Sequence, residues 1–215
     1  MGAAGPVYAI MAGMPASDSP LLVVGLGNPG PKYAGTRHNI GHLVLDELAG
    51  RADPMPASFS AHRRSNAEIA RIRRRLPDGG ERALILAKPR SYMNLSGGPV
   101  AALARFFKID PAGIIVVHDE LDLDPGVVRL KRGGGEGGHN GLRSTSKALG
   151  TRDYLRVRVG IGRPPGRMDP ADYVLREPPA REREEFALAV AEAADAVEAL
   201  VDLGLTGAQN RVHGR

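Results

Sequence analysis

The chain has 215 residues, of which 42% are hydrophobic and 25% charged, with no cysteine and a formal net charge of +5. This composition excludes disordered, collagen-like and low-complexity classes, and no apolar run approaches the ~18 residues of a membrane helix. The missing cysteines exclude disulfides, thiolate metal sites and cysteine nucleophiles, which suits a reducing cytosol.

Residues 1–20 (MGAAGPVYAIMAGMPASDSP) are small, interrupted by Gly and Pro, and carry no basic residue. They lack the charged start of a secretory signal and the arginines of a transit peptide, so they read as a flexible leader preceding one domain over 21–215. The run Leu21–Leu26 is apolar throughout, the pattern of a strand buried on both faces. Ile40, Leu43, Val44 and Leu48 recur at helical spacing up to Gly50, which predicts an amphipathic helix. Strands are expected at Ala67–Arg73 and Ala83–Lys88. A helix follows over Val100–Phe107, with Ala102, Leu103, Phe106 and Phe107 as its inner stripe. Gly113–His118 reads as a buried strand and Val127–Lys131 as an alternating one. Further along come a helix over Leu142–Leu149, an alternating strand over Tyr154–Ile161 and a long helix over Pro179–Leu203. Interleaved strands and helices predict an α/β sandwich: a mixed, largely parallel central sheet flanked by helices.

Charge is unevenly spread. Residues 63–75 hold six arginines and one acid, and residues 129–158 hold eight basic residues against Glu136 and Asp153. Residues 181–202 reverse this, with seven acids against two arginines. Such sectors fit a polyanion gripped through its phosphates, and a coding bias toward arginine is the plainer alternative.

Four polar loops follow strand candidates, where open α/β sheets gather ligands. In the first, Gly25–Gly30 matches G-x-G-x-x-G, but Pro29 and Pro31 lack the N–H groups that a pyrophosphate needs, so no nucleotide cofactor is expected. His38 and His42 stand four apart, yet Asn39 replaces the usual base and a third ligand is missing, so no metal is expected. His38, at a helix start beside this loop, is a candidate proton carrier near neutral pH. Asp119, among the acids after the buried strand Gly113–His118, is a candidate to hold its tautomer. Asn28, Asn94 and Asn140 lie in separate glycine-containing loops; each alone marks a turn, and together they would supply uncharged donors for an oxyanion. The run Gly133–Gly138 is either a phosphate nest or a lid hinge.

The strings VVGLGNPGPKYAGTRHNIG, KPRSYMNLSG, HDELDLDPG and GGGEGGHNGLRS, in this order, resemble bacterial peptidyl-tRNA hydrolases. The resemblance implies metal- and cofactor-free hydrolysis of the ester joining a peptide to the 3′-ribose of tRNA, in a monomeric cytoplasmic enzyme with no membrane contact. It implies that His38, oriented by Asp119, removes a proton from the attacking water, with Asn28 and Asn94 assisting at the carbonyl. Tyr33, Met93, Asn140 and His139 would line the substrate, and Lys131 and Arg158 would grip tRNA phosphate, with Arg156 as the competitor of Arg158. Glu136 is a departure, placing an acid in the glycine loop. The alternative is a non-enzymatic RNA-binding factor of the same fold.

Overall fold

A computed structural model describes Pro15 and residues 19–214. The leader expected over 1–20 thus lies outside the described residues except for Pro15, Ser19 and Pro20. The Pro15 carbonyl accepts a hydrogen bond from Arg82 Nη2 at 3.1 Å.

The runs LLVVG and IIVVHDE, the second turning polar only at its carboxyl end, form β1 (Leu21–Gly25) and β5 (Ile114–Glu120). Seven strands build one sheet. The others are β2 (Ser60–His62), β3 (Ala67–Arg75), β4 (Glu81–Pro89), β6 (Val128–Arg132) and β7 (Leu155–Gly160), in the order β2-β3-β4-β1-β5-β7-β6. The parallel pairings β4–β1, β1–β5 and β5–β7 occupy the centre, and antiparallel strands close both sides. Because β1 and β5 are covered on both faces, their sequences run apolar without alternation.

On one face lie α1 (Ile40–Gly50) and α5 (Arg183–His213), packed on Val23, Val117, Val157 and Val159. On the other lie α2 (Gly97–Phe107) and α3 (Asn140–Leu149), packed on Val24, Val116 and Tyr154. The buried stripe of α2 is Val100, Leu103 and Ala104; Phe106 is 46% exposed, contrary to expectation, and meets His62 edge-on at 4.6 Å.

Two elements escape the sequence patterns: the three-residue β2 and α4 (Pro170–Val174), an outer turn capped by Asp169. The last helix also runs ten residues beyond Leu203, through Gly204 at φ 67°. Glycine at positive φ usually ends a helix, but here tertiary contact restarts it. Gln209 Nε2 donates to Leu130 O at 3.0 Å, and His213 Nε2 accepts from Leu130 N–H at 2.8 Å. These side chains satisfy the free edge of β6, which would otherwise be open to strand pairing.

Two buried histidines make the fold sensitive to acid. Burial, with a further push from Lys88, lowers the His42 pKa to about 3. Burial, with a further push from the neighbouring His139, does the same for His118, also to about 3. Both stay neutral in the fold but bind protons near pH 6.5 once unfolded, so stability falls as pH drops below that value. The expected slope is up to about 1.4 kcal/mol per pH unit per histidine. Urea midpoints at pH 7 and pH 5 measure it, and identical midpoints would count against it.

Candidate active site

The carboxyl ends of β1, β4, β5 and β7 open into a cleft of about 730 Å³ lined by Asn28, Tyr33, His38, Met93, Asn94, Asp119, His139 and Asn140. The chain reverses its winding beside β1, and a crevice at such a switch point is where α/β sheets bind ligands.

His38 is held by a backbone approach that only glycine allows. A Cβ on Gly41 would lie 2.5 Å from Leu26 N and 2.6 Å from Val117 O. Helix α1 therefore starts directly against the ends of β1 and β5, which brings His38, two residues before the helix, to Asp119. Gly41→Ala should push this helix end away and cost both stability and turnover, by about 2 kcal/mol or more in stability. Thermal unfolding alongside turnover checks both.

Asp119 is 3% exposed. Its Oδ1 accepts from His38 Nδ1–H at 2.8 Å and from His139 Nε2–H at 3.0 Å. The tautomers follow from the other ring atoms. His139 Nδ1 accepts from the Gly141 and Leu142 N–H groups at 3.1 and 3.3 Å, capping α3, so its proton sits on Nε2. With Nδ1–H of His38 spent on Asp119, its Nε2 carries the lone pair. Burial alone would raise the Asp119 carboxyl; the two imidazoles, by charge and hydrogen bond, hold it well below the usual carboxylate range. Behind this pair, His118 Nδ1–H donates to the Asp119 carbonyl at 2.7 Å, and its ring lies 5.1 Å from that of His139.

The three asparagines reach the cleft with different freedom. Asn28 is buried and fixed: its Oδ1 accepts from Met93 N–H at 2.8 Å, which turns the amide NH2 away as a donor. Its backbone is clamped by Asn39, whose Oδ1 accepts from Asn28 N–H and whose Nδ2 donates to Asn28 O, both at 2.9 Å. Asn94 and Asn140 are exposed on the rim, and Asn140 Oδ1 accepts from Arg143 at 3.4 Å. Met93 is buried, and a Cβ on Gly141 would overlap its sulfur. Tyr33 stands edge-on to Tyr92 at 6.5 Å.

His42 does not join His38; it packs on Gly27 and lines a separate cavity. The ligand atoms of His38, Asp119 and His139 do lie within 4.8 Å of one another. A cation there would have to displace the Nε2 proton of His139 while two N–H groups point at its Nδ1, so the donor set is a poor metal site.

Arg129, Lys131, Arg156 and Arg158 share one face of the β6–β7 pair, with Lys131 opposite Arg156 and Arg129 opposite Arg158. Arg158 Nε donates to Glu120 at 3.1 Å and remains partly exposed. Arg156 is buried beneath the glycine loop. Glu136 turns away from the cleft onto Arg152 at 2.7 Å. Part of the other basic run is neutralised internally: Arg74 forms a two-pronged pair with Asp202 at 2.7 Å and meets Glu198 at 3.1 Å.

Sequence reasoning missed Asn39 and Arg37. Arg37 is buried beside His38, pairs with Glu182 at 2.7 Å, and stacks on Tyr173 at 4.4 Å, anchoring the segment that carries α4. An asparagine directly after a histidine at a helix start was the available signal for Asn39; Arg37 offered none.

Fold and site together define an α/β protein with a hydrogen-bonded histidine–aspartate pair at the ends of its parallel strands. A family model described as peptidyl-tRNA hydrolase matches residues 22–215, and the chain belongs to that family. It is similar to the peptidyl-tRNA hydrolase of Rhodococcus erythropolis, at 64% identity over 92% of this chain and 100% of that one. The peptidyl-tRNA hydrolase of Frankia alni is 62% identical over 94% and 98%. Among solved structures, the peptidyl-tRNA hydrolase of Acinetobacter baumannii matches with a TM-score of 0.78 at 36% identity, covering 92% of this chain and 95% of that one.

Proposed function

We infer that the chain hydrolyses peptidyl-tRNA, with His38 as general base, and that residues 21–215 act as one catalytic domain. The observation that carries the mechanism is the single Asp119 oxygen receiving His38 Nδ1–H, which leaves Nε2 to take a proton from water. The proton moves from water to Nε2 as the oxygen adds to the ester carbonyl. It then passes to the ribose oxygen as the ester bond breaks, giving free tRNA and a peptide carboxylate. Asn28, locked by Met93 N–H and Asn39, offers its NH2 to the developing oxyanion without reorganising. Asn94 and Asn140 hold the two ends of the substrate from the rim, with Tyr33 and Met93 as walls. His139, both ring nitrogens spent within the protein, holds Asp119 rather than substrate.

A neutral amide suits this amide-lined cleft better than the ammonium of aminoacyl-tRNA. N-acetyl-aminoacyl-tRNA is therefore expected to be deacylated and free aminoacyl-tRNA spared, equally with and without EDTA. Loss of activity with EDTA would overturn the metal-free mechanism, and no deacylation of either substrate would overturn the enzyme reading. A monomeric, cytoplasmic enzyme belongs to the same reading; among the described residues no helix is long and apolar enough to cross a membrane.

Lys131 and Arg158, neighbours on the open face of β6 and β7, are assigned to tRNA phosphate. Lys131→Glu or Arg158→Glu should raise KM and reduce the slope of log KM against log salt by about 1, leaving small N-acyl esters unaffected. Equal losses on both substrate types would remove the phosphate role.

A further inference from the structure

Arg156 is charged yet 2% exposed, and among the described residues it forms no ion pair with a carboxylate. A cation in such a place is costly unless it is fully hydrogen-bonded. Its two Nη atoms donate to Gly135 O at 2.7 Å and Gly134 O at 2.9 Å. The guanidinium lies over the Tyr154 ring at 4.8 Å, and the Tyr154 hydroxyl hydrogen-bonds Ser146 Oγ of α3 at 2.9 Å. The planar fork thus reaches two successive carbonyls of a loop whose Gly133, Gly134, Gly137 and Gly138 all have positive φ. That backbone has no side chains of its own to anchor it between residues 133 and 135.

The loop leads directly to the site. His139 N–H donates to Glu136 O at 2.8 Å, and the His139 ring caps α3 while donating to Asp119. A loop free to shift would carry His139 away from Asp119, on which the orientation of His38 depends. We propose that Arg156 is a positioning residue that latches the glycine loop to β7 and so holds His139 against Asp119. This deepens the His38–Asp119 reading and rests on it. It also removes Arg156 from competition for tRNA phosphate, since the guanidinium is buried and both Nη groups donate to the loop.

The experiment compares the full chain with Arg156→Lys, which keeps the charge but loses the fork, and Arg156→Gln. Amide hydrogen exchange over residues 133–139 should accelerate about tenfold or more in both variants, with β1 and β5 unchanged. Ring 15N signals of His139 should lose their single-tautomer pattern. With N-acetyl-aminoacyl-tRNA, kcat should fall about tenfold or more while KM stays within about threefold. A raised KM with unchanged kcat and loop exchange would make Arg156 a phosphate contact and overturn the latch. Acceleration spread evenly over the sheet would reduce Arg156 to a packing residue, with the same consequence. Should both variants fail to fold, the wild-type Nη protons decide: slowly exchanging, separate signals support the latch, and one averaged signal overturns it. The exchange and tautomer measurements need no turnover. If the His38–Asp119 mechanism is wrong, only the kcat arm changes, and the two failures are told apart.

Discussion

Replacing His38 with alanine is expected to lower kcat for N-acetyl-aminoacyl-tRNA by about 10²–10⁴, the usual worth of a positioned general base. That corresponds to about 2.7–5.5 kcal/mol of transition-state stabilisation. Ground-state binding should survive, because the groups assigned to the ends of the substrate stand on other elements: Asn94 after β4, Asn140 at the start of α3, Lys131 and Arg158 on the open face of β6 and β7. KM should therefore change little. Single-turnover rates with saturating enzyme isolate the chemical step, and near-normal rates in His38→Ala would remove His38 from the mechanism. The fold should tolerate the change, since the ring lines the cleft and hydrogen-bonds Asp119. His42→Ala is the contrasting substitution. It empties a buried site against Gly27 and should cost stability first.

The parts of this fold that could be read from sequence are those whose burial is uniform along the chain. β1 and β5 stand out because every residue from Leu21 to Gly25 and from Ile114 to Asp119 is covered on both faces. β2 could not be read: it is three residues long, Ser60 and Ala61 are exposed, and its ladder is the pairing with β3. Phe106 looked like core because helical spacing alone does not say where a stripe ends. The last helix passes its expected end at Leu203 because Gln209 and His213 bond the β6 edge. The chemistry divides in the same way. His38, Asp119 and the asparagines lie in polar strings that interrupt apolar strands, so their candidacy shows locally. The role of His139 does not, because its link to Asp119 spans two loops. Arg156 and Arg158 occupy equivalent positions in an alternating strand, so the sequence leaves them as competitors for tRNA phosphate. Only the glycine loop folded over Arg156 separates them.

Asp119 offers the sharper dissection of the mechanism, because both imidazoles converge on one of its oxygens. Asp119→Ala leaves His38 Nδ1–H and His139 Nε2–H without an acceptor, so the base loses both its orientation and its counter-charge. kcat should fall by about 10²–10⁴, close to the loss of His38 itself, since groups that act as a unit are strongly non-additive. The double variant His38→Ala/Asp119→Ala should then be little worse than either single one. Asp119→Asn is different in kind. An amide oxygen in the place of Oδ1 still accepts both N–H groups, so ring orientation is retained while the negative charge is lost. Its kcat should lie between wild type and Asp119→Ala. The two contributions, tautomer control and charge, are then read separately from the two steps. Stability supplies an independent check with a definite sign. The carboxyl is held well below its ordinary range in the fold, so its contribution is complete above the unfolded value near about 3.9 and drains away as pH falls toward the folded one. Asp119→Asn forgoes that contribution at neutral pH. The stability gap between wild type and variant should therefore be widest above about pH 5 and shrink toward pH 3. A gap that widens on acidification would mean that the Asp119 carboxylate is not held in its charged form by His38 and His139.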